Sequence, residues 1–576
     1  MSNLAVPSTL NYNAGVLPVS IESRSSTRIF EPVNGTTFAP NANNVIRFNI
    51  NSDNLWDISH SYLAAEFENV SNESAAKNRL VLDDGVPWLS RVQIMSGGQE
   101  LENISEYNRL HAFMQQCQGN PGQAAEWSTT NNHNFPSDNP QAAAVTDTST
   151  AIAALADRAL TVAADGTALS AGTPIVTTAV EKKAIAVATA LDVINSVNVA
   201  LEGTATQGIY RHAKTTDKFT TLRGKDADVG YRNKFTYNFS IISAILSTPK
   251  LFPLIFSNLG LDVLLYLAPA IDIGVWGDAA SPLSNGGYTI SNCKWHCHLV
   301  DVDRAFYDTL RSQMMSTGGM LQFSGTTYKH YLETSNNDSS THTLTIPTRV
   351  KSLNALFIRP QRQSLNNRHS TFCISVGEGC MMSEYVFRIG SMQYPQQSIK
   401  ISRGDDAESI NPGQLYNEIR KCNGVLNNYA HTSWLNRTTL KPGPKQIKFD
   451  QPWNADDRGL STTDAEIQAG ITAKIFIEGT TEAHGTKNVA GSVKSMFCAP
   501  FNFEGFAKVA SESGLNLSDR ALSCQCEIKR DPIAMIDQAG TGFDVSKSKD
   551  TIRYDIFAQA DFLLFLTADG QMSTQV

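Results

Sequence analysis

The chain has 576 residues, more than one hydrophobic core serves, so two or more domains are expected. Its 41% hydrophobic and 18% charged residues are ordinary for a folded globular chain, and no apolar run reaches the ~18 residues of a membrane span. A formal net charge of −8 argues against wholesale or tight sequence-specific nucleic-acid binding, which needs clustered Lys and Arg to displace counterions.

Residues 1–20 carry no charged side chain and no long apolar segment, which predicts an N-terminal arm and not a signal peptide. Strands follow. In 44–51, Ile46, Phe48 and Ile50 alternate with Arg47, Asn49 and Asn51, the period of two that gives one buried face. Leu63, Ala65 and Phe67 repeat the pattern, and Val92 and Ile94 mark another strand. Asn103 and Glu106 have the spacing of a capping box, before a helix whose apolar stripe is Tyr107, Leu110, Met114 and Cys117. Composition changes after Gly119. No aromatic residue lies between Phe135 and Tyr210, so an Ala/Thr-rich insertion at about 120–230 is expected to project outward, with short helices at 151–160 and 180–190.

Phe235, Tyr237, Phe239 and Ile241 resume the alternation. Residues 261–268 are apolar on both faces, as in a strand covered on both sides. Residues 288–302 close the first half. Asp303 then starts a helix with Phe306, Leu310 and Met314, stopped by Gly318-Gly319. In the second half Leu344 with Ile346, then 352–359, then 385–390 read as strands. Asn411-Pro412-Gly413-Gln414 starts a helix with Leu415, Ile419, Cys422 and Leu426 inward, and Gly/Thr-rich loops fill 456–492. The clearest strand ends the chain. Ile552, Tyr554, Ile556, Ala558, Ala560, Phe562, Leu564 and Leu566 share one face, while Arg553, Asp555, Gln559 and Asp561 share the other.

Two stretches repeat one design. Arg91-Val92-Gln93-Ile94-Met95-Ser96-Gly97-Gly98-Gln99 precedes a helix with Tyr107-Asn108-Arg109-Leu110. Arg388-Ile389-Gly390-Ser391-Met392-Gln393-Tyr394-Pro395-Gln396-Gln397 precedes one with Tyr416-Asn417-Glu418-Ile419. The expected fold is mainly all-β: two tandem eight-stranded jelly-roll β-sandwiches with short helices and a long insertion in the first. Periodicity alone does not separate a jelly roll from another Greek-key sandwich. The expected division is an arm at 1–20, a first roll at 21–302, a linker helix at 303–320 and a second roll at 321–576.

The order of several motifs carries a resemblance. They are Ser26-Thr27-Arg28-Ile29-Phe30 through Gly35-Thr36-Thr37-Phe38, Ile46-Arg47-Phe48-Asn49-Ile50, Ser61-Tyr62-Leu63, Asp84-Gly85-Val86-Pro87-Trp88, Arg91-Val92-Gln93-Ile94 and Glu106-Tyr107-Asn108-Arg109-Leu110. The chain resembles double jelly-roll major capsid proteins, closest to those of polinton-like viruses and virophages. The likeness covers the first ~120 residues well and the rest patchily. It implies a homotrimeric, pseudo-hexameric capsomer that tiles the icosahedral shell of a double-stranded DNA virus. The implied partners are neighbouring capsomers, penton and minor capsid proteins, and the implied location is the virion, after synthesis and assembly inside the host cell. A threefold trimer of two-lobed subunits presents six sides.

The chemistry sought elsewhere is thin. Cys293-Lys294-Trp295-His296-Cys297-His298 looks metal-like, but strand alternation puts both thiols on one face and both imidazoles on the other. Cys524 and Cys526 alternate likewise. Nine cysteines at irregular spacing read as reduced thiols, and the sequons at Asn69 and Asn436 as unused. Arg359, Arg362, Arg368 and His369 form a basic stretch that reads as a solvated loop, with phosphate contact as the alternative. Asp83-Asp84 and Asp405-Asp406 read as turn residues before carboxylate pairs or calcium ligands. Arg403-Gly404-Asp405 spells an adhesion tripeptide that recurs by chance. No nucleophile elbow, P-loop or H-E-x-x-H is present. The expectation is therefore no enzyme, and no catalytic, cofactor-binding or metal residue. The alternative reading is a carbohydrate-binding or carbohydrate-active β-sandwich using Trp434 and Trp453.

Overall fold

The computed structural model describes residues 23–71, 79–119, 130–131, 221–223, 234–276, 287–316, 319–336, 340–362, 374–375, 377, 379–380, 382–401, 413–426, 435, 440, 496–505, 513–519, 522–530, 551–567 and 569–576. The first half contains β1 (Ser23–Phe30), β2 (Thr37–Phe38), β3 (Val45–Ile50), β4 (Leu55–Asn69), β5 (Arg79–Leu82), β6 (Leu89–Ser96), β7 (Gln99–Ser105), α1 (Tyr107–Gln118), β8 (Thr221–Arg223), β9 (Lys234–Phe239), β10 (Phe252–Pro253), β11 (Leu261–Leu267), β12 (Gly274–Trp276) and β13 (Tyr288–Val302). Helix α2 (Arg304–Ser316) leads to β14 (Met320–Asn336), β15 (Thr341–Ile346), β16 (Leu353–Arg362), β17 (Met382–Ile389), β18 (Met392–Lys400), α3 (Gly413–Cys422), β19 (Ala499–Asn502), β20 (Cys524–Arg530), β21 (Thr551–Thr567) and β22 (Met572–Gln575).

In the first half one sheet runs β1-β13-β4, with β9 and β10 also on β4 and β2 on β13; the other runs β3-β11-β6-β7. The second half has β14-β21-β16-β19, with β22 on β21, and β15-β20-β17-β18. The eight principal strands of each half can be lettered B to I in chain order: β1, β3, β4, β6, β7, β9, β11 and β13, then β14 to β21. Both halves then read B-I-D-G in one sheet and C-H-E-F in the other. That antiparallel connectivity is a jelly roll, and it occurs twice. A small sheet, β12-β5-β8, flanks the first.

Side chains explain the layering. Ile46, Phe48 and Ile50 are fully buried, and Phe48 meets Trp295 of the opposite sheet edge-on with centroids 5.4 Å apart. In the second roll Phe387 of β17 reaches Phe501 of β19 at 5.8 Å, and the Tyr385 hydroxyl donates to the Pro500 carbonyl at 2.8 Å. The long strand β21 sits between β14 and β16 in the middle of its sheet, as its length and apolar face predict.

The repeated design is a fold repeat. Both copies are the E–F hairpin followed by a helix in the F–G connection, and Gly97 and Gly390 turn the two hairpins at the same φ of 58°. Glycine adopts that left-handed geometry at no steric cost.

One local expectation fails. Asn103 is no cap: the tight turn at Gly97-Gly98 sends β7 straight back along β6. Asn103 therefore stands opposite Gln93 and accepts from Arg91 Nε at 2.8 Å. The helix starts at Tyr107, behind a left-handed Glu106 (φ 49°) that makes no side-chain cap. The connecting helix behaves as read. Phe306 N–H donates to the Asp303 carbonyl at 2.9 Å, and Gly319 (φ 82°) closes the other end on the Met314 carbonyl at 2.7 Å. The expected helices at 151–160 and 180–190, the Asn411-Pro412 start and the 456–492 loops lie outside the described residues, as do 1–20 and nearly all of the insertion.

Candidate functional site: the buried seam between the rolls

Helix α1 is buried on every side: each residue from Tyr107 to Cys117 is buried, polar ones included. Its apolar stripe packs on its own roll, where the Tyr107 hydroxyl accepts from Ile242 N–H at 2.8 Å. A helix buried all round needs a second partner. That partner is the outer face of the B-I-D-G sheet of the second roll. Phe113 sits against Phe357 and Phe557, with centroids 5.3 and 6.5 Å away. Gln116 Nε2 donates to the Ser375 carbonyl at 2.8 Å, and Arg109 Nη1 donates to Gln361 Oε1 at 2.8 Å.

Buried carboxylates stitch the seam at three places. Asp555 of β21 is fully buried, 3.4 Å from Arg109 Nη1, 2.9 Å from His330 Nε2 and within 3.1 Å of Arg553. Burial pushes its carboxyl up, but the Arg109 charge, the His330 hydrogen bond and Arg553 outweigh burial and hold it well below the usual carboxylate range. Arg553 also reaches Glu106 at 3.2 Å, and Glu106 accepts from Arg109 Nε at 3.1 Å, so charges alternate through the cluster. Glu102 of β7 accepts from Thr327 of β14 at 2.6 Å, from Ala244 N–H at 2.9 Å and from the Ser243 hydroxyl. Asp83 accepts from Ile374 N–H at 2.8 Å and from the Ser375 hydroxyl. In each case a carboxylate of one roll takes hydrogen bonds or charge from the other. Buried polar groups left unmatched are costly, so these pairs fix how the rolls meet.

One expectation is corrected here. Arg359 is not in a solvated basic loop. It lies in β16, only 2% exposed, and faces the seam, where burial first and then Arg109 push its guanidinium down to about 10. It is therefore out of reach of a nucleic-acid phosphate. Arg368 and His369 lie outside the described residues. Asp83 and Asp84 do lie in the bend between β5 and β6, ahead of Gly85 (φ 74°), and both are fully buried because the loop carrying them is covered by 374–375 of the second roll. Asp405-Asp406, Arg403-Gly404-Asp405, Asn436, Trp434 and Trp453 are outside the described residues.

The Cys293 string falls as strand alternation requires. Cys293, Trp295 and Cys297 point into the first core, while His296 and His298 face outward. Cys524 and Cys526 are likewise core residues. Burial pushes the Cys293 and Cys524 thiols up to about 12. No group of three or more metal-type ligands is gathered among the described residues. All eight described cysteines are buried thiols, and the ninth is Cys373. Titration of the native protein with a thiol reagent should therefore label at most one cysteine quickly, with all nine reacting after denaturation. Two or more fast thiols would contradict this packing.

Sequence reading found α1 but not its role. The available signal was Phe557, an aromatic on the nominally polar face of β21. With the seam closed, one body holds two rolls of the same connectivity. The chain is a double jelly roll. Similar solved structures include the Sputnik virophage particle (11% identity, 100% of this chain and 93% of that chain, TM-score 0.48). The mavirus major capsid protein is 13% identical over 100% of this chain and 96% of its own, at TM-score 0.43. The Faustovirus major capsid protein is 8% identical over 97% and 92%, at TM-score 0.45. Identities this low speak only to fold. No protein-family model matches the chain, and no curated protein matches it.

Proposed function

We propose that this protein is the major capsid protein of an icosahedral double-stranded DNA virus, working as a homotrimer of pseudo-hexagonal outline. One observation carries the reading: the chain contains a docking contact twice in its parts but once in its fold. The helix of the first roll covers the outer B-I-D-G face of the second. Among the described residues the same face of the first roll is open. Across its B, I and D strands run Ile29, His296 and Tyr62 in register; Ile29 is 49% and Tyr62 42% exposed, and the Tyr62 ring stacks on His296 at 4.6 Å. The matching helix of the second roll, α3, turns Gln414, Asn417 and Lys421 outward, all exposed.

A surface that accepts what another part of the same chain offers makes head-to-tail contacts, which close into a ring when the rotation allows. Two like lobes per chain close a six-sided ring with three copies. Such permanent interfaces bury more than ~2,000 Å² and use apolar residues, the role this reading gives Ile29 and Tyr62. The motif order noted in the sequence supports the shell assignment. On this reading the chain divides into an arm (1–20), rolls at 21–302 and 321–576 and a linker at 303–320. Neighbouring capsomers, penton and minor capsid proteins are its partners in the virion, and no enzymatic step belongs to it.

Native mass measurement tests the trimer. Wild-type protein should run as a trimer, and Ile29→Asp should give a folded monomer with unchanged circular dichroism. A wild-type chain that stays monomeric at high concentration would end the proposal.

A further inference from the structure

We infer that the open face of the first roll is a proton-sensitive contact: His296 at its centre has to be neutral for a neighbouring copy to dock, so the assembly loosens in mild acid. This deepens the head-to-tail trimer proposed above and rests on it.

The two B-I-D-G faces hold an imidazole differently. In the second roll His330, Phe557 and Phe357 stand in register across B, I and D. Phe113 of α1 covers that row, and His330 Nε2 keeps Asp555 Oδ1 at 2.9 Å, so a counter-charge is buried with the ring. In the first roll the row is Ile29, His296 and Tyr62. The His296 imidazole stacks on the Tyr62 ring, with centroids 4.6 Å apart and planes 11° from parallel, and makes no side-chain hydrogen bond among the described residues.

The groups around His296 offer it no carboxylate among the described residues. From β1 it faces Thr27 and Ile29, which carry no charge. On its own strand the outward neighbours are Lys294 and His298. On β4, Asp57 is engaged by His60 at 2.7 Å and by the Ser59 hydroxyl at 2.6 Å, and Glu66 is engaged by Lys234 of β9 at 2.8 Å. Partial burial, and then the Lys294 charge, already push His296 below the usual imidazole value. A docked neighbour removes the remaining water and pushes it further down. The docked value therefore lies below that of the free chain. Docking is at full strength above the free value and weakens as pH falls through it. The overall charge works the other way. Each chain carries a formal −8, which acid reduces, so general repulsion between copies falls and would tighten the trimer.

Sedimentation of the full chain between about pH 7.5 and 5.5 tests this, with circular dichroism to show that the fold is kept. The wild-type trimer should lose affinity below about pH 6.5, by up to about tenfold per pH unit for each contact. His296→Phe and His296→Gln, each read as the ratio of its own dissociation constants at the two ends of the range, should lose this dependence. Wild-type affinity that holds steady or tightens in acid would overturn the inference and leave the trimer standing; tightening would point to a carboxylate supplied by the neighbour. A loss of affinity that survives in both variants would overturn it as well. Absence of wild-type trimers at the upper end of the range would remove the trimer itself, and this inference with it.

Discussion

Asp555→Ala should destabilise the protein by about 3–5 kcal/mol, the scale expected when one partner of a buried ion pair is removed. The substitution strips Arg109 of its closest fully buried counter-charge while Arg359 remains nearby, so two guanidinium groups are left facing each other. It also releases the His330 imidazole and Arg553. Thermal unfolding would show the loss. Amide exchange in α1 would locate it, a better readout than a single midpoint for a chain with two cores. Adding Arg109→Ala should cost less than the sum of the single changes, because the two share one interaction. A shift below 1 kcal/mol would mean that the cluster contributes little.

Acid should act in the same direction. The folded Asp555 carboxyl is held below its unfolded value, so its stabilisation is fully present above the unfolded aspartate range. It fades as pH falls below about 4 toward the folded value. The share of the stability gap between wild type and Asp555→Ala that comes from this carboxylate should therefore narrow below about pH 4. A gap that widens below about pH 4 would reverse the assignment.

Phe113→Ala should cost a further ~3–5 kcal/mol by leaving a cavity between Phe357 and Phe557. Phe113→Leu keeps most of the volume and should cost under about 1.5 kcal/mol. Denaturant unfolding of both variants checks the ratio. Equal losses would show that the ring stacking, not the volume, matters.

The strands were legible because one face of each meets a core and the other meets water: Ile46, Phe48 and Ile50 announce β3 from their period alone. Legibility failed wherever the second face is also covered. In β14, Thr327 and Tyr328 are adjacent and both buried, so its long run lacks the clean alternation that marks a strand. In α1 the buried polar residues looked like a solvent side. Arg359 looks like part of a solvated loop for the same reason: what covers it comes from a roll that is distant in sequence, and composition holds no trace of that pairing. Asn103 misled by local spacing, which a two-residue hairpin turn overrode. The jelly-roll connectivity became visible only through strand order, since period two is common to every sandwich.

A helix sealed between the two lobes leaves α2 no freedom to act as a hinge, since opening the angle between the lobes would pull Arg109 from Asp555 and Thr327 from Glu102. Those contacts should make the two lobes move as one body. If copies of such a body cover a closed particle, the curvature of that particle must be absorbed at the joints between copies.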